Sequence, residues 1–279
     1  MAFLKPDQIM NVSAENGFKK ASLPIQQSAV LGFLAGAFIA LGYLLAIRVT
    51  ANLPEEWGSL GSLIGASVFP VGLILTLLAG GELLTGNMMS LPVAWLEKKI
   101  KLNQIFKNWG IILISNFIGA LFVAYFFGHV VGLTETGPYL EATVSIAEGK
   151  LHYTFLQAFI SAIGCNWLVA LAVWLSYGSD DLTGKIIAIW FPTMAFVAIG
   201  FQHVVANMFV IPAAIFAGYL TWADYFQNFV PVLLGNAVGG SLFVAGAYWF
   251  AYKRQPDKVA TKSNWTAQAP IMKRSKMNG

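Results

Sequence analysis

The fold of this chain is decided by one stretch of sequence, Gly80-Gly-Glu-Leu-Leu-Thr-Gly-Asn87-Met-Met-Ser-Leu-Pro92. It returns 120 residues later as Gly200-Phe-Gln-His-Val-Val-Ala-Asn207-Met-Phe-Val-Ile-Pro212. Glycine, asparagine, methionine and proline keep their places in both copies, inside long apolar runs. Since glycine and proline interrupt helices, the sequence predicts two copies of one unit, each broken at the same point.

The repeat continues without a gap beyond these two stretches. Further identities at the same offset are Ala94/Ala214, Phe106/Phe226, Asn108/Asn228, Leu113/Leu233, Asn116/Asn236 and Gly119/Gly239. Each copy holds three apolar segments, an odd number, so the second copy must enter a membrane from the opposite side. The sequence therefore predicts an inverted repeat, with copies at about 25–131 and 153–252.

The composition is typical of a membrane protein. Of the residues, 57% are hydrophobic and 11% are charged, whereas a soluble domain carries about 25% charged residues. Six apolar segments are long enough to span a bilayer: Ile25–Ile47, Ser59–Leu96, Ile105–Val131, Tyr153–Tyr177, Lys185–Leu220 and Phe226–Tyr252. The predicted fold class is an all-α polytopic membrane protein with six transmembrane helices, of which helices 2 and 5 are broken.

Basic residues predict the orientation of these spans. With the N-terminus inside, all of the 17 Lys and Arg residues except Arg48 and Lys150 fall on the inner side. We therefore expect a cytoplasmic segment 1–24, a transporter domain 25–253 and a basic cytoplasmic tail 254–279. The first twenty residues lack the apolar core of a signal peptide. The amphipathic part, residues 5–21, either gates the inner mouth or anchors at the interface.

A few polar side chains lie deep within the apolar segments. Ionisable residues inside a membrane are costly and by default functional, which makes His203 the candidate centre of a permeation site. A neutral histidine that only bonds a neighbouring helix is the alternative, and Asn207, four residues on, could orient its ring. Glu82 either caps a half-helix or lines a vestibule, and Asn166 either lines the pore or joins helices.

Chemical motifs of other protein classes are missing from the sequence. It has no phosphate-binding glycine loop, no His/Cys cluster with metal spacing and no nucleophile elbow. The basic residues that give the net charge of +4 lie at span ends and in the tail rather than on one face, which disfavours a nucleic-acid partner. We expect neither an enzyme nor a cofactor, and Cys165 is expected to be a buried apolar side chain.

These residues resemble the formate/nitrite transporter family. The resemblance rests on the six segments, the inverted repeat, the stretch Phe69-Pro-Val-Gly-Leu73 and the two interruption stretches, and it covers about residues 5–253. The chain is most similar to the formate-channel branch of Gram-positive bacteria. The resemblance implies a homopentamer of aquaporin-like protomers in the bilayer, each with its own pore for formate.

The resemblance also implies roles for individual residues. It makes His203 the central polar residue of an apolar pore, with Asn207 beside it and Thr85 opposite. The implied constrictions are Phe69, Leu73 and Phe196 on the outer side and Leu83 and Leu84 on the inner side. The implied vestibule and pore polar residues are Lys150 and Asn166. Gln202 departs from the pattern, because some relatives carry a glutamate before the histidine.

The mechanism implied by these residues couples the anion to a proton. Half-helix N-termini and Lys150 would concentrate the anion, and His203 would donate a hydrogen bond or a proton at the centre. Nitrite, hydrosulfide and acetate remain alternative substrates. A neutral-solute channel of aquaporin type is disfavoured because Asn87 and Asn207 are each followed by Met rather than Pro-Ala. A membrane-embedded enzyme or assembly factor would need more clustered ionisable residues within the spans.

Overall fold

A computed structural model describes residues 3–253 of the protein. Within them every regular element is helical, and the only strand-like contact is an isolated bridge between Phe3 and Ser179. The tail expected at 254–279 lies outside the described residues.

The helices are numbered along the described part of the chain. They are α1 (Pro6–Ala21), α2 (Ile25–Thr50), α3 (Ser59–Gly80), α4 (Leu84–Leu96), α5 (Leu102–Val130), α6 (Pro138–Leu151), α7 (Phe155–Ser176), α8 (Leu182–Ile199), α9 (Val204–Phe216) and α10 (Trp222–Tyr252). Six of them, α2, α3, α5, α7, α8 and α10, are long and apolar enough to cross a membrane. The predicted six-span, all-helical fold is confirmed.

Two of the predicted spans are broken where the sequence indicated. The helix α3 ends at Gly80 and α4 begins at Leu84, while α8 ends at Ile199 and α9 begins at Val204. The two helix-ending glycines have positive φ angles, +106° at Gly80 and +85° at Gly200. Left-handed backbone costs other residues about 1–2 kcal/mol, so glycine is the residue that ends each helix cheaply.

Close helix pairs form the frame of each half of the molecule. In the first half, Gly119 of α5 lies directly against the backbone carbonyl of Phe33 in α2. In the second half, its repeat mate Gly239 of α10 lies in the same way against the carbonyl of Ile163 in α7. Small residues let helix backbones approach this closely in a membrane, and the two halves use the device in corresponding places.

A side chain at Gly119 should therefore disrupt the frame. We expect Gly119→Val to lower the thermal unfolding temperature of the detergent-solubilised protein, because overpacking a close contact costs about 1–3 kcal/mol. Gly110→Val is the matched control, since a Cβ atom added at Gly110 of α5 meets no other atom of residues 3–253 within 4 Å. Equal unfolding temperatures for the two variants in a fluorescence melting assay would contradict this account.

The N-terminal helix α1 packs on protein along half-helix α4. Its apolar residues Ile9, Met10 and Ala14 are buried in a cluster with Met89 and Trp174. The contact is continued by Gly17, which lies against the backbone carbonyl of Ser90. The predicted amphipathic helix is thus present, and its apolar face covers half-helix α4.

A helix that the sequence did not indicate lies between the third and fourth spans. In this helix, α6, polar residues alternate with apolar ones. Its mean hydropathy is therefore too low to predict a membrane span. It packs against half-helix α9, and its last turn carries Lys150. The fold uses α6 to bring this lysine to the broken span.

Candidate functional site

The two half-helices begin opposite each other in the interior of the protein. Thr85 lies in the first turn of α4, and His203 is the residue that precedes α9. Thr85 Oγ1 and His203 Nε2 are 3.0 Å apart, and both side chains are buried. Because a helix N-terminus carries partial positive charge, this contact joins two electropositive ends.

The hydrogen bonds of His203 define the protonation of its ring. The backbone N–H of Ala206 donates to Nδ1 at 3.1 Å, so the histidine caps its own helix. A backbone N–H can only donate, and Nδ1 is therefore unprotonated. The ring proton of the neutral imidazole then lies on Nε2, which donates towards Thr85. Protonation at Nδ1 would break the cap.

Asn207 does not orient this ring, contrary to the expectation from its spacing. Its amide nitrogen donates to Gln202 Oε1 at 2.7 Å and to Asn228 Oδ1 at 2.8 Å. The side chain thus ties α9 to the extended segment before it and to α10. Residues four apart share a face only within a helix. His203 has extended backbone and precedes the first turn of α9, so Asn207 does not bond to its ring.

Two repeat asparagines hold the extended segments in place. Asn116 Oδ1 accepts from the backbone N–H of Leu84 at 2.9 Å, and its amide donates to the carbonyl oxygens of Gly32 at 2.7 Å and Glu82 at 2.9 Å. Backbone groups freed by a broken helix must be satisfied within the protein. A single buried amide satisfies three of them here.

Asn236 repeats this arrangement in the second half. Its Oδ1 accepts from the backbone N–H of Val204 at 2.9 Å, and its amide donates to the carbonyls of Ala162 at 2.8 Å and Gln202 at 3.1 Å. The sequence reading noticed both asparagines as repeat identities but gave them no role. Their position 32 residues after the start of each half-helix was the available signal.

An open cavity of about 350 Å³ leads from the protein surface to His203. Its polar lining includes Lys150, His203 and Asn207, and its aromatic lining includes Tyr43, Phe69 and Phe196. The rings of Phe69 and Phe196 meet edge to face with centroids 5.8 Å apart. Five of the residues implied by the family resemblance are therefore brought together in one place.

The path narrows to direct contact beyond this cavity. Phe69, Leu73, Leu83 and Phe196 surround His203 so closely that no water-sized space remains between them. Leu83 occupies the position 120 residues before His203, so one half of the repeat supplies a leucine where the other supplies the imidazole. Leu84 is also buried, and its backbone N–H is held by Asn116.

Other polar residues named from the sequence lie around this centre. The Asn166 amide donates to the carbonyls of Thr85 at 3.2 Å and Asn236 at 2.7 Å, which joins α4 to α10. Glu82 accepts from Lys20 at 2.8 Å and from Asn87 at 2.9 Å, so its carboxylate binds side chains instead of capping a helix.

Two lysines outside the spans differ in their electrostatic surroundings. Burial lowers the pKa of Lys150, with a small opposing effect of Cys165. Burial also acts to lower the pKa of Lys20, but the Glu82 carboxylate and the neighbouring Tyr177 outweigh it and raise the pKa overall. Lys150 is thus a poorly compensated cation, and Lys20 is one half of an ion pair.

Comparison with known proteins agrees with this architecture. The family model described as formate/nitrite transporter matches residues 7–250. The chain is 64% identical over 255 residues to the uncharacterized transporter YrhG of Bacillus subtilis, covering 91% of this chain and 96% of that protein. It is 60% identical over 255 residues to the formate channel BtFdhC of Bacillus thuringiensis, covering 91% and 98%.

Solved structures show the same fold. A pentameric formate channel with formate bound superposes with a TM-score of 0.71 at 31% identity, covering 82% of this chain and 98% of that one. The family model spans the six transmembrane helices, both half-helices and the residues that meet between them. The chain therefore belongs to the formate/nitrite transporter family.

Proposed function

We propose that this protein conducts formate across a bacterial cell membrane, one formate path through each protomer of a homopentamer. The observation that carries the proposal is the cavity that is lined by Lys150 and two phenylalanine rings and reaches His203, whose Nε2 contacts Thr85. Formate channels among the relatives, one of them pentameric, support the substrate and the assembly.

The charges and apolar walls of the cavity support a sequence of steps. The ammonium group of Lys150 attracts the anion into the cavity. A bare charge at the constriction costs about 3 kcal/mol or more, and the low polarity there favours the neutral acid. The anion therefore takes up a proton and crosses as formic acid, so formate and a proton move together.

His203 has a defined part in this scheme. The Nε2–H that donates towards Thr85 turns to a substrate oxygen, while Nδ1 stays bonded to the backbone of Ala206. The imidazole then acts as a neutral hydrogen-bond donor at the centre of the path. It need not become charged, because the transported proton arrives with the substrate.

Orientation and domain limits are part of the proposal. The transporter domain is 25–253, and both termini are cytoplasmic, which places the Lys150 cavity on the outer face. The six apolar helices and the basic residues at their inner ends support this arrangement.

Flux measurements test the proposed substrate and coupling. Purified protein in proteoliposomes should take up radiolabelled formate, and uptake should rise several-fold when the outside pH is lowered from 7.5 to 5.5. Unlabelled formate should compete better than nitrite or acetate. Uptake of labelled nitrite that formate does not inhibit would reassign the substrate, and formate uptake equal at both pH values would remove the proton coupling.

A further inference from the structure

Lys20 and Lys150 occupy equivalent positions in the two halves. The amide of Asn108 donates to the backbone carbonyl of Lys20 at 3.3 Å, and the amide of its repeat mate Asn228 donates to the carbonyl of Lys150 at 2.9 Å. One asparagine of each half thus anchors the backbone of one lysine on its side of the centre.

The residue that faces each lysine is not the same in the two halves. Glu82 precedes α4 and Gln202 precedes α9, at the repeat offset of 120 residues. Each receives a hydrogen bond from the corresponding asparagine, Asn87 or Asn207, at 2.9 and 2.7 Å. The two side chains have nearly the same shape and the same anchor, so charge is the main difference between them.

This difference changes what each lysine can bind. Glu82 Oε1 accepts from Lys20 Nζ at 2.8 Å and neutralises it. Gln202 instead uses its amide nitrogen to donate to the backbone carbonyl of Lys150 at 3.1 Å. Within residues 3–253 no acceptor lies in hydrogen-bond or ion-pair contact with the Lys150 ammonium. The ammonium lines the cavity that ends at His203.

We propose that the Glu82/Gln202 pair makes the two mouths of the path unequal in anion affinity, with capture strong on the Lys150 side and weak on the Lys20 side. The inference rests on the proposed transport function and adds its sidedness. On the Lys20 side the Glu82 carboxylate already pairs with the ammonium group. On the Lys150 side the ammonium group can pair with a carboxylate or a similar small anion from solution.

Thermodynamics determines how unequal anion affinities at the two mouths appear in the transport kinetics. A passive transporter at equal pH and without a membrane potential must have the same ratio of maximal rate to KM from both faces. Tighter capture on one face therefore appears as a lower KM together with a lower maximal rate. Adding or removing the carboxylate that neutralises a lysine corresponds to roughly a tenfold change in KM on that face.

The charge pattern can be reversed without changing net charge or side-chain size. We expect wild-type protein to show a KM for formate about tenfold lower from the Lys150 face than from the Lys20 face. Gln202→Glu should raise the KM on the Lys150 face, and Glu82→Gln should lower it on the Lys20 face. The double variant Glu82→Gln/Gln202→Glu should reverse the inequality.

The experiment measures initial rates of labelled formate entry into right-side-out and inside-out membrane vesicles over a concentration series, at pH 7 on both sides with the potential collapsed. Equal KM values on both faces of the wild type, or a double variant with the same inequality as the wild type, would overturn the proposal. Absence of saturable formate entry in either vesicle type would instead overturn the transport function itself.

Thermal unfolding of each variant in detergent checks that the fold is retained, and Gln202→Glu alone tests the proposal if a Glu82 variant does not fold.

Discussion

Phenylalanine in place of His203 should reduce saturable formate uptake by about 5- to 150-fold. The change removes the Nε2–H donor at the narrowest point of the path, and a buried polar group that loses its partner costs about 1–3 kcal/mol. Phenylalanine also leaves the backbone N–H of Ala206 without its acceptor. His203→Ala should reduce uptake to a similar extent for the same reasons. Initial uptake rates in proteoliposomes, normalised to folded protein, give the comparison.

His203→Asn separates a hydrogen-bond donor from a proton relay. Asparagine is a good helix N-cap and still carries N–H groups, but it does not titrate. The capped, neutral ring seen here predicts that this variant keeps at least a tenth of the wild-type rate and keeps its pH dependence. If formate uptake by the asparagine variant no longer depends on pH, the imidazole itself carries the transported proton.

Methionine in place of Lys150 should raise the KM for formate by roughly tenfold or more, because the only ammonium group that the described residues place in the cavity lining is removed. The maximal rate should change less, since the constriction and His203 are untouched. The KM of wild type and variant should converge at high ionic strength, where screening weakens the attraction.

Lys101→Met is the control for this prediction. It removes the same charge from an exposed position just before α5, and Lys101 does not belong to the cavity lining. It should leave the KM unchanged. A Lys150 variant with wild-type KM at low ionic strength would show that the lysine takes no part in capture.

The sequence was sufficient to predict the frame of this protein. Six spans, two broken helices and their glycine ends followed from hydropathy and from the 120-residue repeat. The reason is that a membrane requires every span to be apolar and every interruption to be satisfied by specific polar residues. Such residues stand out in an apolar sequence, and Asn87 and Asn207 marked both breaks.

Features that depend on contacts between distant segments were not predictable in this way. The ion pair of Lys20 with Glu82 joins residues 62 positions apart, and no local pattern announces it. The approach of Lys150 depends on α6, whose apolar pattern is too weak to indicate a helix. The role given to Asn207 was wrong because helical spacing was applied across a helix start, where His203 has extended backbone.

The central claim is that formate passes through the cavity lined by Lys150 and His203, and one labelling measurement tests it directly. The wild-type chain has a single cysteine, Cys165, which is fully buried, so a methanethiosulfonate reagent should leave its flux unchanged. Ser62→Cys places a thiol in the lining of this cavity. Modification there should block formate uptake, and formate should slow the modification. The control Ser145→Cys lies in a separate surface pocket, and its modification should leave uptake intact. Complete labelling at Ser62→Cys with undiminished formate uptake would contradict the proposed path.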